Sequence, residues 1–322
     1  MTDKGTAFGD EQRAVLVTFA TGGTRPFLLA QKILSQSALL FGGVAGVAEW
    51  NDKKLKQEDF YSRFRHILDQ QRGAGYWLWK PYIIRKELLA LNPGDYVVYS
   101  DCSTYNGEFA SILRPFAPLL ELCDSGFGGF IPGVYIPHWG PAKIWTKRDC
   151  FVLMDCDSEV YWETCQIQAS LSVWKHCDES IGFLTEWLDY CQDERILSDL
   201  ENTCGLPNFP EFYDHRHDQS VLTLLAHRHN RRALGNPEIE VSDGSINIEQ
   251  DKVMGLSAFR RRFGSKPLSR NTKSWDSVLN EIFVPYKPSF CSSLYKLAIS
   301  LLFKLEGVAM TISRRYEKRL YK

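Results

Sequence analysis

The residues best suited to chemistry lie in one segment, 72–103, which combines two cations with a carboxylate. Arg72 and Lys80 flank a stretch rich in glycine and tryptophan, and Asp101 follows the apolar run 96–99. Guanidinium and ammonium groups neutralise phosphate oxygens, and an acid at the carboxyl end of a buried strand can bind a metal ion or a ligand hydroxyl. The segment therefore predicts a site for a phosphorylated ligand, although lone cations beside glycine are often only solvated.

A second cluster of polar residues occupies 212–219 and is followed directly by an apolar helix. His215, Arg216, Asp218 and Gln219 belong to this run. Asp218 would stand at the N-terminus of the helix, where negative charge is stabilised. A helix cap with salt bridges is the structural alternative, and the density of ionisable groups favours a functional cluster.

A literal D-x-D motif at 155–157 competes with Asp101 for the role of metal ligand. It follows the apolar run 151–154, so a pair of acids at a strand end is one interpretation. The residues at 146–149 approximate a capping box that opens a short helix, which is the other interpretation. We favour Asp101, because its predicted strand ends directly before it, and keep the later pair as the alternative.

The elements that must position these residues alternate between strands and helices, as in an α/β protein. Apolar and β-branched runs predict strands at 13–20, 44–50, 96–99 and 166–175. Helical periodicity predicts helices from Arg25, at 58–71, at 81–91, at 109–122, at 179–197 and after Asp218. Thr24 can cap the first helix, and Asn92-Pro93-Gly94 ends the third with a turn.

The order of these motifs resembles that of GT-A-fold glycosyltransferases, and most of all their galactosyl- and mannosyltransferase-like families. The resemblance covers roughly residues 13–230. It rests on a first nucleotide-binding strand, Trp77-Leu78-Trp79-Lys80, Tyr99-Ser100-Asp101, Gln168-Ala169-Ser170, a helix with Trp187, and Asp218-Gln219-Ser220. The resemblance implies a Rossmann-like GT-A domain that uses a sugar nucleotide.

The same resemblance implies a role for each matching residue. Donor contacts are expected at Thr18, Ala20, Thr21, Arg72, Trp79, Lys80, Ser100, Asp101 and Ser103. The acceptor or the sugar is expected to meet Gln168 and Ser170, which match the families' acceptor strand. Residue type adds His138 and Trp139, because a loop with Tyr, His and Trp can stack on a sugar ring, and a packed aromatic loop is the alternative. The second polar cluster adds His215 and Arg216. A Mn²⁺ or Mg²⁺ ion is expected at Asp101, although Ser103 replaces the second acid of the motif and puts metal dependence in question.

Asp218 and Gln219 are the expected catalytic residues. In retaining transferases with a similar D-Q-S motif, this acid or amide faces the donor sugar, where it can stabilise an oxocarbenium-like charge. If the enzyme inverts, Asp218 becomes the general base for the acceptor hydroxyl. The resemblance favours retention, and the sequence leaves both outcomes open.

The composition predicts a globular protein with reduced thiols. The chain has 322 residues, 44% of them apolar, and its net charge of −1 gives no general attraction to nucleic acid. Its 9 cysteines are scattered without a C-x-x-C pair, and the polar first residues lack the apolar core of a signal peptide. We therefore expect a cytoplasmic protein without a nucleic-acid partner.

The chain is expected to fall into four parts. Residues 1–12 are predicted to be disordered, 13–235 to form the transferase domain, 236–287 an irregular linker, and 288–322 a basic amphipathic helix. That last helix could lie in the interface of an anionic membrane, or pack on the domain as an ordinary C-terminal helix. Its longest apolar run, 297–303, is too short to span a bilayer.

The predicted activity is transfer of a hexose from a UDP- or GDP-sugar to a hydroxyl of a glycan or lipid-linked oligosaccharide. Such a reaction would belong to polysaccharide or glycan assembly. Two alternatives remain from the sequence. One is a sugar-nucleotide-binding protein without transfer activity, because the second acid of the metal motif is absent. The other is a scaffold that docks on a membrane through its tail.

Overall fold

The computed structural model describes residues 13–21, 25–102, 104–105, 108–109, 112 and 115–235. All of these belong to one structural unit. The expectations for 1–12, 236–287 and 288–322 lie outside the described residues, as do the capping role of Thr24 and the ligand role of Ser103.

The strands confirm an α/β protein built on a mixed sheet. They are β1 (Ala14–Ala20), β2 (Gly46–Asn51), β3 (Tyr96–Ser100), β4 (Thr104–Tyr105), β5 (Glu108–Phe109), β6 (Phe130–Ile131), β7 (Val134–Tyr135), β8 (Ile167–Gln168) and β9 (Leu171–Lys175). The central sheet has 5 strands in the order β2-β1-β3-β9-β6. β1 runs parallel to β2 and β3, whereas β9 runs antiparallel to β3 and β6.

The strand order places a topological switch point at the carboxyl ends of β1 and β3. The chain passes from β1 to β2 on one side and then crosses to β3 on the other side of β1. The loops that leave the carboxyl ends of β1 and β3 therefore diverge. In open α/β sheets such a switch point is where ligands bind, and Asp101 comes directly after β3.

Helices and short turns connect the strands. The helices are α1 (Arg25–Ser37), α2 (Asp52–Leu55), α3 (Asp59–Arg63), α4 (Arg65–Leu68), α5 (Gly73–Tyr76), α6 (Trp79–Leu89), α7 (Ala117–Gly126), α8 (Ala142–Trp145), α9 (Arg148–Leu153), α10 (Glu159–Trp162), α11 (Asp178–Cys191), α12 (Glu194–Leu197) and α13 (Asp218–Arg228). A π-helical turn covers Ala38–Gly42, and a 3₁₀ turn covers Pro137–Trp139.

Successive residues of β3 point to opposite faces of the sheet, and helices pack on both faces. Val97 and Tyr99 join the main hydrophobic core with Ile83 of α6 and Trp187 of α11. Tyr96 points the other way, and its hydroxyl donates to Asp124 Oδ2 of α7 at 2.6 Å. All residues of β3 are buried, as its unbroken apolar sequence predicts.

Several predicted elements are confirmed. The first strand, the strand at 96–99 and the helix from Arg25 appear where expected. Pro81 lies in the first turn of α6, where its missing N–H costs no helical hydrogen bond. The helix predicted at 179–197 is present as two helices, α11 and α12. They are separated by a break near Asp193, and the Asp193 side chain caps α12.

Four predicted elements are wrong in part. The strand predicted at 166–175 is divided into β8 and β9, which belong to different sheets. The helix predicted at 58–71 is broken at Phe64 into α3 and α4. Of the helix predicted at 109–122, Phe109 lies in β5, and α7 begins only at Ala117, just after Pro115. The apolar run 151–154 belongs to the end of α9 and not to a strand. The interpretation of the D-x-D motif as a strand-end pair is therefore wrong.

Candidate functional site

Lys80 lies at the centre of a buried cluster that joins distant parts of the chain. Its Nζ is 3.5 Å from Asp101 Oδ1 and 3.3 Å from Asp218 Oδ2, and it donates to Ala169 O at 3.1 Å. Lys80 and Asp218 are each 3% exposed, whereas the Asp101 side chain is 37% exposed. In this cluster, which we call the Lys80 centre, Asp101 is the group that meets solvent.

Separate elements of the fold supply the members of the Lys80 centre. Lys80 stands in the first turn of α6, and Asp218 is the first residue of α13. Asp101 follows β3, and its backbone N–H donates to Ser170 O at 2.9 Å. The neighbouring Ser100 is fully buried at the strand's end. The carboxyl end of β3 and the N-termini of α6 and α13 therefore converge at this point.

The charges of the Lys80 centre are strongly coupled. Burial raises the pKa of Asp218 to about 6, and the Asp101 carboxylate adds to this rise while the Lys80 ammonium opposes it. Burial by itself lowers the pKa of Lys80, but Asp101 and Asp218 raise it to a greater extent, so the net shift is upward. Asp218 can therefore exchange a proton near neutral pH while Lys80 keeps its charge.

Tyr99 completes the contacts of Asp101 inside the sheet. Its hydroxyl donates to Asp101 Oδ1 at 2.5 Å. Burial and the adjacent Asp101 carboxylate raise the pKa of Tyr99, so the hydroxyl stays protonated as a donor. This bond fixes one carboxylate oxygen of Asp101 toward the protein.

Three buried polar atoms in this region have no hydrogen-bond partner among the described residues. They are Asp218 Oδ2, Ser170 Oγ and Gln168 Oε1. Lys80 is within ion-pair distance of the Asp218 oxygen without meeting hydrogen-bond geometry. Gln168 and Ser170 flank Ala169, whose carbonyl accepts from Lys80. Buried polar groups nearly always have partners, so each of these three atoms has an unused capacity for a hydrogen bond.

Left-handed backbone borders the Lys80 centre on two sides. Residues 73–77 all have positive φ, and His217, directly before Asp218, has a φ of 52°. The ring centroids of His217 and Tyr76 are 4.9 Å apart, so the two segments pack together. Left-handed backbone costs a non-glycine residue roughly 1–2 kcal/mol, and such strain is concentrated at functional sites.

Arg72 is held in ion pairs. Its guanidinium donates to Asp214 Oδ2 at 2.6 Å and to both oxygens of Asp199 at 3.0 and 3.2 Å. The cation predicted to bind the donor diphosphate is therefore already balanced by two acids. These bonds tie the start of the left-handed run to the segment that precedes α13.

The residues predicted to contact the nucleoside are mostly inside the protein. Thr18 and Ala20 are fully buried in β1, whereas Thr21 is half-buried at the strand's end. Trp79 is also buried, and its ring stacks on that of Phe19 at 3.8 Å. Of this group, Thr21 alone offers surface at the carboxyl edge of the sheet.

An aromatic surface adjoins the N-terminus of α13. The Arg216 guanidinium lies over the rings of Trp139 and Trp145 at 4.8 and 4.7 Å. Trp145 packs edge-on against Tyr213, which is 77% exposed, and His138 packs edge-on against Trp139. The residues predicted to meet an acceptor at 138–139 and at 216 are thus brought together, and Tyr213 and Trp145 extend their surface.

Gln219 and His215 are engaged with other protein groups. Gln219 Nε2 donates to Gln166 Oε1 at 3.2 Å. His215 Nδ1 accepts from the backbone N–H of Lys147 at 3.3 Å, and its Nε2 contacts Ile196 O at 2.8 Å. Burial lowers the pKa of His215, in accord with a neutral ring that donates from Nε2. His215 is buried, whereas Gln219 is half-buried.

The described residues do not form a complete metal site. They contain no group of three or more His, Cys, Asp or Glu side chains placed to hold one ion. Asp101 can supply one carboxylate oxygen, and the Ser103 position lies outside the described residues. In the competing motif, Asp157 is bound by Arg148 at 2.9 Å and by the Trp162 indole at 3.0 Å. Because Asp157 makes these contacts, it is not available as a metal ligand.

A cavity of about 750 Å³ lies beside the carboxyl end of β2. Its lining includes Leu28 from α1, Asn51 and Asp52 after β2, and Ala74 from the left-handed run. Small-molecule sites typically occupy cavities of roughly 300–1,000 Å³. None of Lys80, Asp101 and Asp218 is among the residues that line this cavity.

Sequence reasoning found some members of this site and missed others. Lys80, Asp101, Asp218, Gln168 and Ser170 were predicted as site residues and lie together. The structure adds three groups whose residues belong to the motifs but had no predicted role: the Ala169 carbonyl, the Tyr99 hydroxyl, and the Trp187 indole, which donates to Asp218 O at 2.9 Å. The only signal for these groups in the sequence was their position beside residues that were predicted to belong to the site.

No protein-family model, curated protein or solved structure matches this chain. Among the described residues, no helix is both long and apolar enough to cross a membrane.

Proposed function

We propose that the chain is a glycosyltransferase that moves a sugar from a nucleoside-diphosphate sugar to a hydroxyl of a glycan or lipid-linked acceptor. The observation that carries the proposal is the Lys80 centre, where one buried ammonium lies between the carboxylates of Asp101 and Asp218. It stands at the switch point of the parallel strands, where α/β sheets bind ligands. The order of the sequence motifs supports a GT-A-like member of this class.

Asp218 is the proposed catalytic carboxylate. Its pKa of about 6 suits proton exchange at neutral pH, because an acid–base group works best with a pKa near the operating pH. In an inverting reaction it would take the proton of the acceptor hydroxyl. In a retaining reaction its ionised form would stabilise positive charge on the donor sugar, which is the role favoured by the D-Q-S motif.

Asp101 is the proposed contact with the donor. It is the exposed member of the Lys80 centre, and Tyr99 and Lys80 hold one of its oxygens. Its other oxygen is the proposed ligand for a donor hydroxyl. It could also bind a divalent ion, which would neutralise charge on the departing diphosphate. Lys80 pairs with both carboxylates and is proposed to act as the internal counter-ion of the two acids.

Gln168 and Ser170 are proposed to bind sugar hydroxyls. Each has a buried polar side-chain atom without a partner among the described residues. A sugar hydroxyl can donate to Gln168 Oε1 and can both donate to and accept from Ser170 Oγ. The aromatic surface of Trp139, Trp145 and Tyr213 would then bind the acceptor.

Nucleoside-diphosphate release by the purified chain tests the proposal. UDP- and GDP-sugars are first screened by thermal shift, with and without Mn²⁺, and those that raise the melting temperature are assayed for turnover. We expect release by the wild type, and at least roughly a hundredfold loss in Asp101→Asn, the order expected for a catalytic group.

Asp155→Asn is the matched control, because Asp155 belongs to the competing D-x-D motif and should retain wild-type turnover. Binding of a sugar nucleotide without turnover would instead favour the sugar-nucleotide-binding alternative. Full loss in Asp155→Asn with activity kept in Asp101→Asn would contradict the assignment of the site.

A further inference from the structure

The residue directly before Asp218 has a backbone conformation that glycine adopts most easily. This residue is His217, with a φ of 52° and a ψ of −120°, values typical of the first central position of a type II′ turn. A residue with a Cβ keeps such a backbone only where the surrounding structure holds it there. The contacts of His217 are therefore what maintain the backbone that leads into α13.

One of these contacts is a hydrogen bond from the imidazole ring to the end of α12. His217 Nδ1 lies 2.8 Å from Leu197 O, and because a carbonyl oxygen only accepts, Nδ1 carries the hydrogen and donates it. Leu197 is the last residue of α12, and the final carbonyl groups of a helix have no partner within the helix. The ring therefore supplies the hydrogen bond that this carbonyl group lacks.

The second ring nitrogen of His217 takes no part in this attachment. Nε2 is buried and has no hydrogen-bond partner among the described residues. It lies 3.8 Å from Asp199 Oδ1, which is too far for a hydrogen bond. Burial lowers the pKa of His217 to about 4, so near neutral pH the ring is uncharged and its single N–H is on Nδ1. The ring therefore provides one directed donor and no charge.

The ring of His217 also packs against the segment that leads into α6. Its centroid is 4.9 Å from that of Tyr76 and 5.6 Å from that of Trp77. Both of these residues belong to the left-handed run, and α6, which carries Lys80 in its first turn, follows closely. His217 therefore contacts the segment that precedes Lys80, while its own backbone leads into Asp218.

We propose that His217 is a positioning residue that holds the Asp218 carboxylate beside the Lys80 ammonium. It does so through its Nδ1–H bond to Leu197 O, which ties the start of α13 to α12 next to the segment before α6. The 3.3 Å approach of Lys80 Nζ to Asp218 Oδ2 depends on this attachment. The effect of His217 on turnover rests on the function proposed above, whereas its effect on this distance does not.

Three substitutions of His217 separate the contributions of its donor, its ring and its backbone. His217→Phe keeps an aromatic ring and removes the Nδ1–H donor. His217→Asn loses the ring, keeps an N–H donor and tolerates positive φ. His217→Gly removes the side chain but suits the backbone, so it should fold even where the phenylalanine variant does not.

Steady-state release of nucleoside diphosphate by the full chain gives the first measurement. We expect kcat to fall by about tenfold or more in His217→Phe and His217→Gly, because a small misplacement of a catalytic group is costly. The KM for the sugar nucleotide should stay within about threefold of wild type, since the misplaced group acts in the transition state. His217→Asn should keep kcat within about threefold of wild type, because it keeps the donor.

His176→Phe is the matched control, because His176 Nδ1 also contacts a backbone carbonyl, that of Leu91, at 2.9 Å. His176 follows β9, whose Lys175 pairs with Tyr96 at the amino end of β3. The Lys80 centre lies at the opposite, carboxyl end of β3. Both phenylalanine variants should be less stable in urea than wild type, and His176→Phe should keep the wild-type kcat.

Crystal structures of the full-length wild type and of His217→Gly test the positioning without an assay of activity. We expect the distance from Lys80 Nζ to Asp218 Oδ2 to rise from 3.3 Å to more than about 4 Å, the limit of an ion pair. In His217→Asn the distance should match that of wild type. If wild type turns over no sugar nucleotide, the proposed function fails, and this distance alone decides the role of His217.

Three results would overturn the proposal. The first is an unchanged distance between Lys80 and Asp218 in His217→Gly. The second is wild-type kcat in both His217→Phe and His217→Gly, or a loss in His217→Asn equal to that in His217→Phe. The third is an equal loss of kcat in His176→Phe, which would show that general destabilisation explains the effect.

Discussion

Lys80 connects the two acids of the candidate site by neutralising them from inside the protein. A buried charge is stable only when it is paired, and removing one partner from such a cluster costs about 3–5 kcal/mol. The Lys80 ammonium is buried and contacts Asp101, Asp218 and the Ala169 carbonyl. Its first role is therefore structural, and the chemistry of the acids depends on it.

Lys80→Met should lower the free energy of unfolding by about 3–5 kcal/mol, as measured by urea denaturation. Lys143→Met is the matched control, because Lys143 pairs at the surface with Glu163 and Glu211, whose side chains are 47% and 53% exposed. The control should change stability by less than about 0.5 kcal/mol. Equal effects of the two changes would show that the buried pairs of Lys80 contribute no more than a surface contact.

Asp218 makes stability and activity depend on pH in a defined direction. Its pKa rises from an ordinary 3.8 to about 6 in the folded protein, so between these values the folded state binds more protons than the unfolded state. The free energy of unfolding should therefore fall as pH rises from about 4 to about 6, and this component should then level off.

Asp218→Asn should abolish that component of the pH dependence and lower turnover by about a hundredfold or more. Urea titrations at several pH values and initial rates of diphosphate release measure the two effects. A variant that keeps wild-type turnover and only melts at a lower temperature would return Asp218 to a helix-capping role.

At the scale of elements, the left-handed run at 73–77 determines how α6 begins. Gly75 has a φ of 92°, and a Cβ there would lie 2.5 Å from Leu68 Cα. Gly43 also has positive φ, but a Cβ there would meet nothing within 4 Å. A comparison of alanine substitutions at Gly75 and Gly43 therefore separates the cost of left-handed backbone from the cost of steric overlap.

Gly75→Ala should destabilise the protein by clearly more than Gly43→Ala, which should cost about 1–2 kcal/mol for the left-handed backbone alone. Chemical denaturation of both variants checks this difference. Gly75→Ala should also reduce turnover, because α6 carries Lys80. Equal stability of the two variants would contradict a tight fit of the run against α4.

The sequence predicts the elements whose signals are local. The apolar strand before Asp101 and the helix with Pro81 in its first turn were both predictable, because each depends on a short pattern. The left-handed run was not, since Tyr76 and Trp77 carry no local signal for positive φ and adopt it through packing on His217.

Long-range pairing is the part of the site that the sequence could not specify. The motifs predicted Lys80 and Asp218 as site residues, but nothing local shows that one ammonium reaches both acids. Arg72 was predicted to bind phosphate, and its pairing with Asp199 and Asp214 depends on the tertiary fold. The strand-end interpretation of the D-x-D motif was wrong, because the apolar run 151–154 before it is compatible with a helix as well as with a strand.

At the scale of the whole molecule, the tail at 288–322 lies outside the described residues and remains a prediction. Its basic residues should bind anionic lipid, each contributing about 1 kcal/mol in a salt-dependent way. Flotation with anionic liposomes should show binding that weakens with salt and is lost when Arg314, Arg315, Lys318 and Arg319 are changed to Glu. Equal binding to neutral liposomes, or none, would favour an ordinary C-terminal helix.

The most direct test of the central claim is a crystal structure of the chain with bound UDP or GDP, whichever raises the melting temperature more, with Mn²⁺ present. We expect the diphosphate at the carboxyl ends of β1 and β3, in contact with Asp101 directly or through the metal ion. The sugar position should then face Asp218 and Ser170. A nucleotide bound away from these strand ends, without contact to Asp101 or Asp218, would contradict the proposed function.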